Sequence, residues 1–142
     1  MTRIDFHSNI PDKIAYACRL VRKARASADC HIVLFTTDRS DLAALDEALW
    51  TFSELDFLPH VFAGDTNADA TPIILTDDGN VQLLHHQILV NLSAETPANF
   101  ASFERMFEII STDEADKAAG RERYRYYQQR GYPLTHFVAE KT

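Results

Sequence analysis

The chain has 142 residues, of which 46% are hydrophobic and 25% charged, and its formal net charge is −7. That length suits one α/β domain spanning residues 1–142. The composition is that of an ordinary globular core and surface. The acidic balance argues against a protein coated in nucleic acid but leaves room for one local basic face.

No apolar run approaches the roughly 20 residues of a membrane span. The start, Met1-Thr2-Arg3-Ile4-Asp5, lacks the apolar core of a signal peptide. Cys18 and Cys30 sit twelve positions apart, neither a zinc pair nor a redox motif, so two reduced thiols in a cytoplasmic protein are expected.

In chain order, Arg3 to His7 alternates and reads as a first strand. Pro11 stands near the start of a helix, where its missing N–H costs nothing. Ile14, Ala17, Cys18, Val21 and Ala24 give that helix one apolar face through about Ala26. The run Cys30 to Phe35 is nearly all apolar, as expected of a strand covered on both faces. Asp38 or Ser40 can cap a second helix. On it Leu42, Leu45, Leu49 and Phe52 form one stripe, with Ala48 beside them. Trp50, the single Trp, lies roughly 130° from the centre of that stripe.

Phe57 to Phe62 reads as a strand, and Pro59 within it cannot donate to a ladder, which assigns the strand to a sheet edge. An off-stripe Trp50, a nearby Phe57 and an edge strand suggest a surface that expects a partner. The competing reading is that a loop covers Trp50. Residues 63–70 read as a loop, Pro72 to Leu75 as a short strand, Asp77-Asp78-Gly79-Asn80 as a turn and Gln87 to Leu92 as a buried strand. A third helix is expected from Pro97 to about Met106 with Phe100 and Phe103 inward, followed by a strand over Phe107 to Ile110. Asp113 can cap a last helix that Gly131 stops after Arg130. Leu134 to Val138 closes the chain as a strand. This alternation predicts a three-layer α/β/α fold with a largely parallel central sheet.

Catalytic chemistry has few handholds. The first two strand–helix turns, Ser8-Asn9-Ile10-Pro11 and Thr36 to Ser40, contain no glycine, so a phosphate-cradling loop is not expected there. His85 and His86 are adjacent and point to opposite faces on a strand. Asp65, Asp69, Asp77 and Asp78 sit in loops, without a rigid element to fix a metal. Cys18 falls on an apolar stripe, the ordinary place of a buried thiol. No cofactor, metal or enzymatic activity is expected.

The segment Lys117 to Arg130 is the other informative stretch, with five basic residues against one acid. Lys117, Arg121, Tyr124 and Gln128 fall at i, i+4, i+7 and i+11 and share a face. A basic ridge beside an aromatic suits a carboxylate or a phosphate. A solvated helix whose cations favour its C-terminal end remains the alternative. The anion could belong to nucleic acid or to an acidic peptide.

Leu45-Asp46-Glu47-Ala48-Leu49-Trp50, Phe57-Leu58-Pro59-His60 and Gly120-Arg121-Glu122-Arg123-Tyr124-Arg125-Tyr126-Tyr127 together resemble the chi subunit of the bacterial DNA polymerase III holoenzyme. The order and separation of the blocks also match. The resemblance implies a non-catalytic α/β subunit that pairs with the psi subunit of the clamp loader. It further implies binding to the acidic C-terminal tail of single-stranded DNA-binding protein, which ends in Pro-Phe and a free carboxylate. By this resemblance Lys117, Arg121 and Tyr124 belong to the tail-binding face, Ile110, Gly131 and Tyr132 to a neighbouring apolar pocket, and Trp50 and Phe57 to the psi surface. The runner-up is a module that contacts single-stranded DNA directly through the Arg/Tyr-rich last helix, stacking bases on Tyr124 or Tyr127. The segment from Ala63 to His86 matches the family poorly, and Gly120 interrupts the basic helix at a cost of about 1 kcal/mol relative to Ala.

Overall fold

The computed structural model describes residues 1–27, 30–51, 60–63, 71–78 and 86–139. They form β1 (Arg3–Ile10), α1 (Lys13–Ser27), β2 (Ile32–Phe35), α2 (Arg39–Thr51), β3 (His60–Phe62), β4 (Ile73–Thr76), β5 (Ile88–Asn91), β6 (Arg105–Ser111), α3 (Glu114–Gln129) and β7 (Leu134–Val138). The seven strands make one sheet in the order β3-β4-β2-β5-β6-β1-β7. Every neighbouring pair is parallel.

Strand alternation divides the core into two layers. On one face Ile32 and Leu34 of β2 meet Ala17, Cys18 and Val21 of α1 and Leu42, Leu45 and Leu49 of α2. On the other face Val33, Phe35, Met106 and Ile110 meet Phe100, Phe103 and Tyr127. The expected α/β/α layering therefore holds, and the sheet is wholly parallel. Burial pushes the Cys18 thiol up to about 11, so it is a protonated packing group.

Two local expectations change. The helix expected from Pro97 to Met106 is only a single 3₁₀ turn, Phe100–Ser102. Phe103 is already extended, and β6 starts at Arg105, two residues before the expected strand. There the chain gains ladder partners on both sides, from β5 and β1, which a short helix would forfeit. The i, i+3 spacing of Phe100 and Phe103 fits a 3₁₀ turn as well as an α-helix, and Thr2 Oγ1 fastens the turn by donating to the Phe103 carbonyl at 2.6 Å. Of the two candidate caps of α2, Asp38 acts: its Oδ1 accepts from the Ser40 amide at 2.8 Å and the Ser40 hydroxyl at 2.6 Å.

α3 docks on the sheet through a buried polar node. The Glu108 carboxylate on β6 is fully buried. It accepts from Arg123 Nε at 3.0 Å, Tyr127 OH at 2.6 Å and Asn91 Nδ2 at 2.8 Å. Burial pushes the Glu108 carboxyl upward, opposed by the Arg123 charge and the donated hydrogen bonds. Removing one member strands the other charge in the core. Glu108→Ala is expected to cost about 3–5 kcal/mol of stability, measured by urea unfolding. Replacing the pair together, Glu108→Leu with Arg123→Met, is expected to restore most of that loss.

Candidate ligand cleft and partner surface

The start of α3 is fixed from both sides. Asp113 caps it, accepting from the Asp116 amide at 3.1 Å. Asp116 Oδ2 in turn accepts from the Ser111 amide at 2.7 Å and from Lys13 Nζ at 3.1 Å. Its end is a left-handed stop. Gly131 has φ +79°, its amide bonds the Gln128 carbonyl, and the Tyr132 amide bonds the Tyr127 carbonyl.

Between these ends, Gly120, Arg123 and Tyr127 face inward. A Cβ at position 120 would lie 2.7 Å from Ile110 Cδ1. The glycine therefore lets the helix approach β6 closely, which offsets its propensity cost. Arg123, one of the five basic residues of this stretch, belongs to the core node.

With that rotation fixed, the face carrying Lys117, Arg121, Tyr124 and Gln128 borders an open cleft of about 660 Å³. Ile110 and Gly120 lie at its base, and Phe6, His136 and Val138 of β1 and β7 form the far wall. The Tyr124 ring packs edge-on against Phe6, with centroids 5.0 Å apart. β1 has an irregularity between His7 and Ile10. There Asn9 adopts φ +62°, a conformation Asn tolerates, and its side-chain amide donates to the Ala139 carbonyl at 2.9 Å. Ser8 Oγ and His136 Nε2 are 2.8 Å apart on the same rim.

The cations of this face are unequally engaged. Lys117 has one exposed contact, to Glu114 at 3.5 Å, which is weak. Arg125 pairs with Glu122 at 2.7 Å. Arg121 is exposed and makes no ion pair with a described residue.

Of the residues singled out by sequence, the structure brings Lys117, Arg121, Tyr124 and Ile110 to one cleft. It does not bring Gly131 and Tyr132 there. Gly131 ends the helix, and Tyr132 packs on Phe100, with ring centroids 5.2 Å apart. The β-strand wall escaped the sequence reading. Its signal was present in the period-two placement of His136 and Val138 on a strand pairing with β1.

At the opposite end of the sheet, β3 is the edge strand. Trp50 is 52% exposed, and its ring centroid lies 4.4 Å from that of His60 on β3. His60 Nε2 is 3.0 Å from Asp46 Oδ1. Phe62 is also exposed there. Phe57 lies outside the described residues, as do Pro59, Asp65, Asp69 and His85. Of the other suggested metal ligands, Asp77 pairs with Arg39 at 3.2 Å and the His86 ring packs on Phe103. No group of three or more His, Cys, Asp or Glu side chains among the described residues could hold a metal ion. No described helix is long and apolar enough to cross a membrane.

Residues 1–135 match the family described as DNA polymerase III chi subunit, HolC. This chain belongs to that family. It is 32% identical to the DNA polymerase III subunit chi of Pseudomonas aeruginosa, over 94% of both chains. It is 28% identical to that of Haemophilus influenzae, over 84% of this chain and 82% of the relative. The Escherichia coli chi subunit is 24% identical over 72% of this chain and 70% of its own. The chain is thus a replication subunit.

The anchors of this chi-family fold predict its response to acid. Burial opposes ionisation of Asp116, but the Ser111 amide and the Lys13 ammonium outweigh it and hold its carboxyl below the usual range. Asp5 is likewise buried, yet Thr135 and Arg105 Nε, at 2.7 Å, hold its carboxyl low. A depressed folded-state pKa adds stability above the unfolded value, about 4, that is lost as pH falls through the folded one. Urea midpoints are expected to fall below about pH 4 on this account. Asp116→Asn should lower stability at neutral pH and flatten the acid limb. An acid limb unchanged in Asp116→Asn would show that this anchor contributes nothing.

Proposed function

We propose that the chain is a non-catalytic subunit that links the replication machinery to single-stranded DNA-binding protein. In this reading the cleft beside α3 takes the acidic C-terminal tail of that protein, and the Trp50 surface takes the psi subunit of the clamp loader. The observation that carries the reading is the placement of Arg121, which makes no ion pair with a described residue, one helical turn from Lys117 and beside an apolar base at Ile110 and Gly120. A tail that ends in Phe and a carboxylate needs separated cations beside an apolar slot. Lys117 and Arg121 reach one short acidic segment. Tyr124, held by Phe6, makes a wall for the terminal ring, and the slot runs toward His136 and Val138.

The two surfaces lie at opposite ends of a seven-strand sheet. Six interstrand steps of about 4.8 Å separate them by roughly 29 Å. Both ligands can therefore be held at once, as a link requires.

Arg121→Glu replaces attraction by repulsion in a partly desolvated site. It is expected to weaken binding of a fluorescent tail peptide by about 2–5 kcal/mol, leaving psi binding intact. A peptide without its terminal Phe should bind far less well. If that truncated peptide binds as tightly as the whole one, the cleft is not a Phe-carboxylate site.

Trp50→Ala is expected to weaken psi binding by about 2 kcal/mol or more. Because the ring is half exposed, thermal stability should change little. Loss of the fold in Trp50→Ala, with psi affinity of the remaining folded protein unchanged, would place Trp50 in a structural role.

A further inference from the structure

Another open cleft lies on the other side of β7. Parallel pairing sets Thr135 beside Asp5 and Phe137 beside His7, on the face that α1 covers. Arg3 stands beside Arg105 in the β1–β6 ladder, on that same face. α1 runs over these rows, and between them lies a cleft of about 670 Å³.

Four cations border this cleft: Arg3, Arg19, Lys23 and Arg105. The single acid is Asp5, whose carboxylate is already taken by Arg105 and Thr135. Arg3, Arg19 and Lys23 are exposed and make no ion pair with a described residue. The helix that supplies two of them, Lys13–Ser27, has five basic residues and no acid. The remaining lining is mainly aromatic. Phe137 is 55% exposed, Tyr16 lies beneath Arg19, and His7 packs between the Tyr16 and Phe137 rings.

We propose that this cleft is a track for single-stranded nucleic acid, with phosphates on Arg3, Arg19 and Lys23 and a base on the exposed face of Phe137. Arg19 and Lys23 are one turn apart on α1, about 6 Å along its axis. That spacing is comparable to the step between successive phosphates of an extended strand. Cations drawn from two elements around flat rings fit a backbone that carries a charge at every step and a base beside it. An acidic peptide would satisfy the cations and leave the rings without a matched face. The site is independent of the tail cleft, since it shares no residue with it and lies across β7.

The test is fluorescence anisotropy of the full chain with labelled oligothymidylate, titrated with salt. Three neutralised phosphates give a log–log salt slope of about −2, at about −0.7 per phosphate for single strands. The double variant Arg19→Ala with Lys23→Ala should bind at least tenfold more weakly, with a slope near −0.7. Phe137→Ala should bind roughly fivefold more weakly or worse. Arg121→Glu should bind oligothymidylate like the parent. All three substituted positions in this cleft are exposed, and unchanged melting temperatures confirm that the variants are folded. The proposal is overturned if oligothymidylate does not bind at low ionic strength, or if the double variant or Phe137→Ala binds it as the parent does. It is equally overturned if Arg121→Glu abolishes binding, or if polyglutamate displaces the oligonucleotide as well as unlabelled oligothymidylate does.

Discussion

The buried Glu108–Arg123–Tyr127 contact sets what the surface of this protein can do. A carboxylate in the middle of a parallel strand is costly unless it is met by donors. Arg123 and Tyr127 meet it from one helix, four residues apart. Together with Gly120, which allows close approach over Ile110, they fix how α3 is turned about its axis. Once that rotation is set, Lys117, Arg121, Tyr124 and Gln128 have one place to go, the rim of the cleft over β1 and β7. The polar node thus acts as a registry device, a use for which buried charges are better suited than for raw stability.

The sheet does the rest of the positioning. A parallel sheet needs helices on both faces, and those helices cover its centre well. Its two edge strands, β3 and β7, are left at the margins, and both carry exposed apolar groups. β7 is the more open: Phe137 and Val138 are exposed, and they point to opposite faces. One short edge strand is therefore shared as a wall by two clefts that have no lining residue in common.

Much of this was legible in the sequence, for identifiable reasons. The α3 face was readable because a helix obeys one period, and its caps, Asp113 and Gly131, stand at its ends. For Trp50 the off-stripe position left two readings, an open surface or a covering loop, and its exposure in the structure favours the first. What was not legible depends on partners remote in sequence. Nothing local sets Arg123 apart from the other cations of its helix, and only Glu108, fifteen residues away on a strand, draws it into the core. Tyr132, which the resemblance alone assigned to an apolar pocket, packs on the Phe100 ring. The stretch after Pro97 looked helical because Phe100 and Phe103 share a helical spacing, whereas ladder partners on β5 and β1 make Arg105 onward a strand. The cations of α1 are plain in the sequence, but only the fold sets Arg19 and Lys23 beside Arg3 of β1 and Phe137 of β7.

On the proposed reading of the two clefts, the distribution of charge lets an acidic protein receive anions. Ten of the 14 basic residues lie in Lys13–Ser27 and Lys117–Arg130, while all but one of the 21 acids are spread over the rest of a chain of net charge −7. Beyond a Debye length of about 8 Å at physiological salt, a polyanion is screened from individual residues and meets little net attraction. Within that distance the two helices present cations held at fixed spacing on either side of β7. Long-range steering is therefore weak, and a ligand must reach a cleft before it gains energy. Selection then falls to what lies beside the cations: an aliphatic and glycine base under Tyr124 in one cleft, and aromatic faces around Arg19 in the other. The two proposed anions, of similar charge, would then be told apart by their uncharged parts.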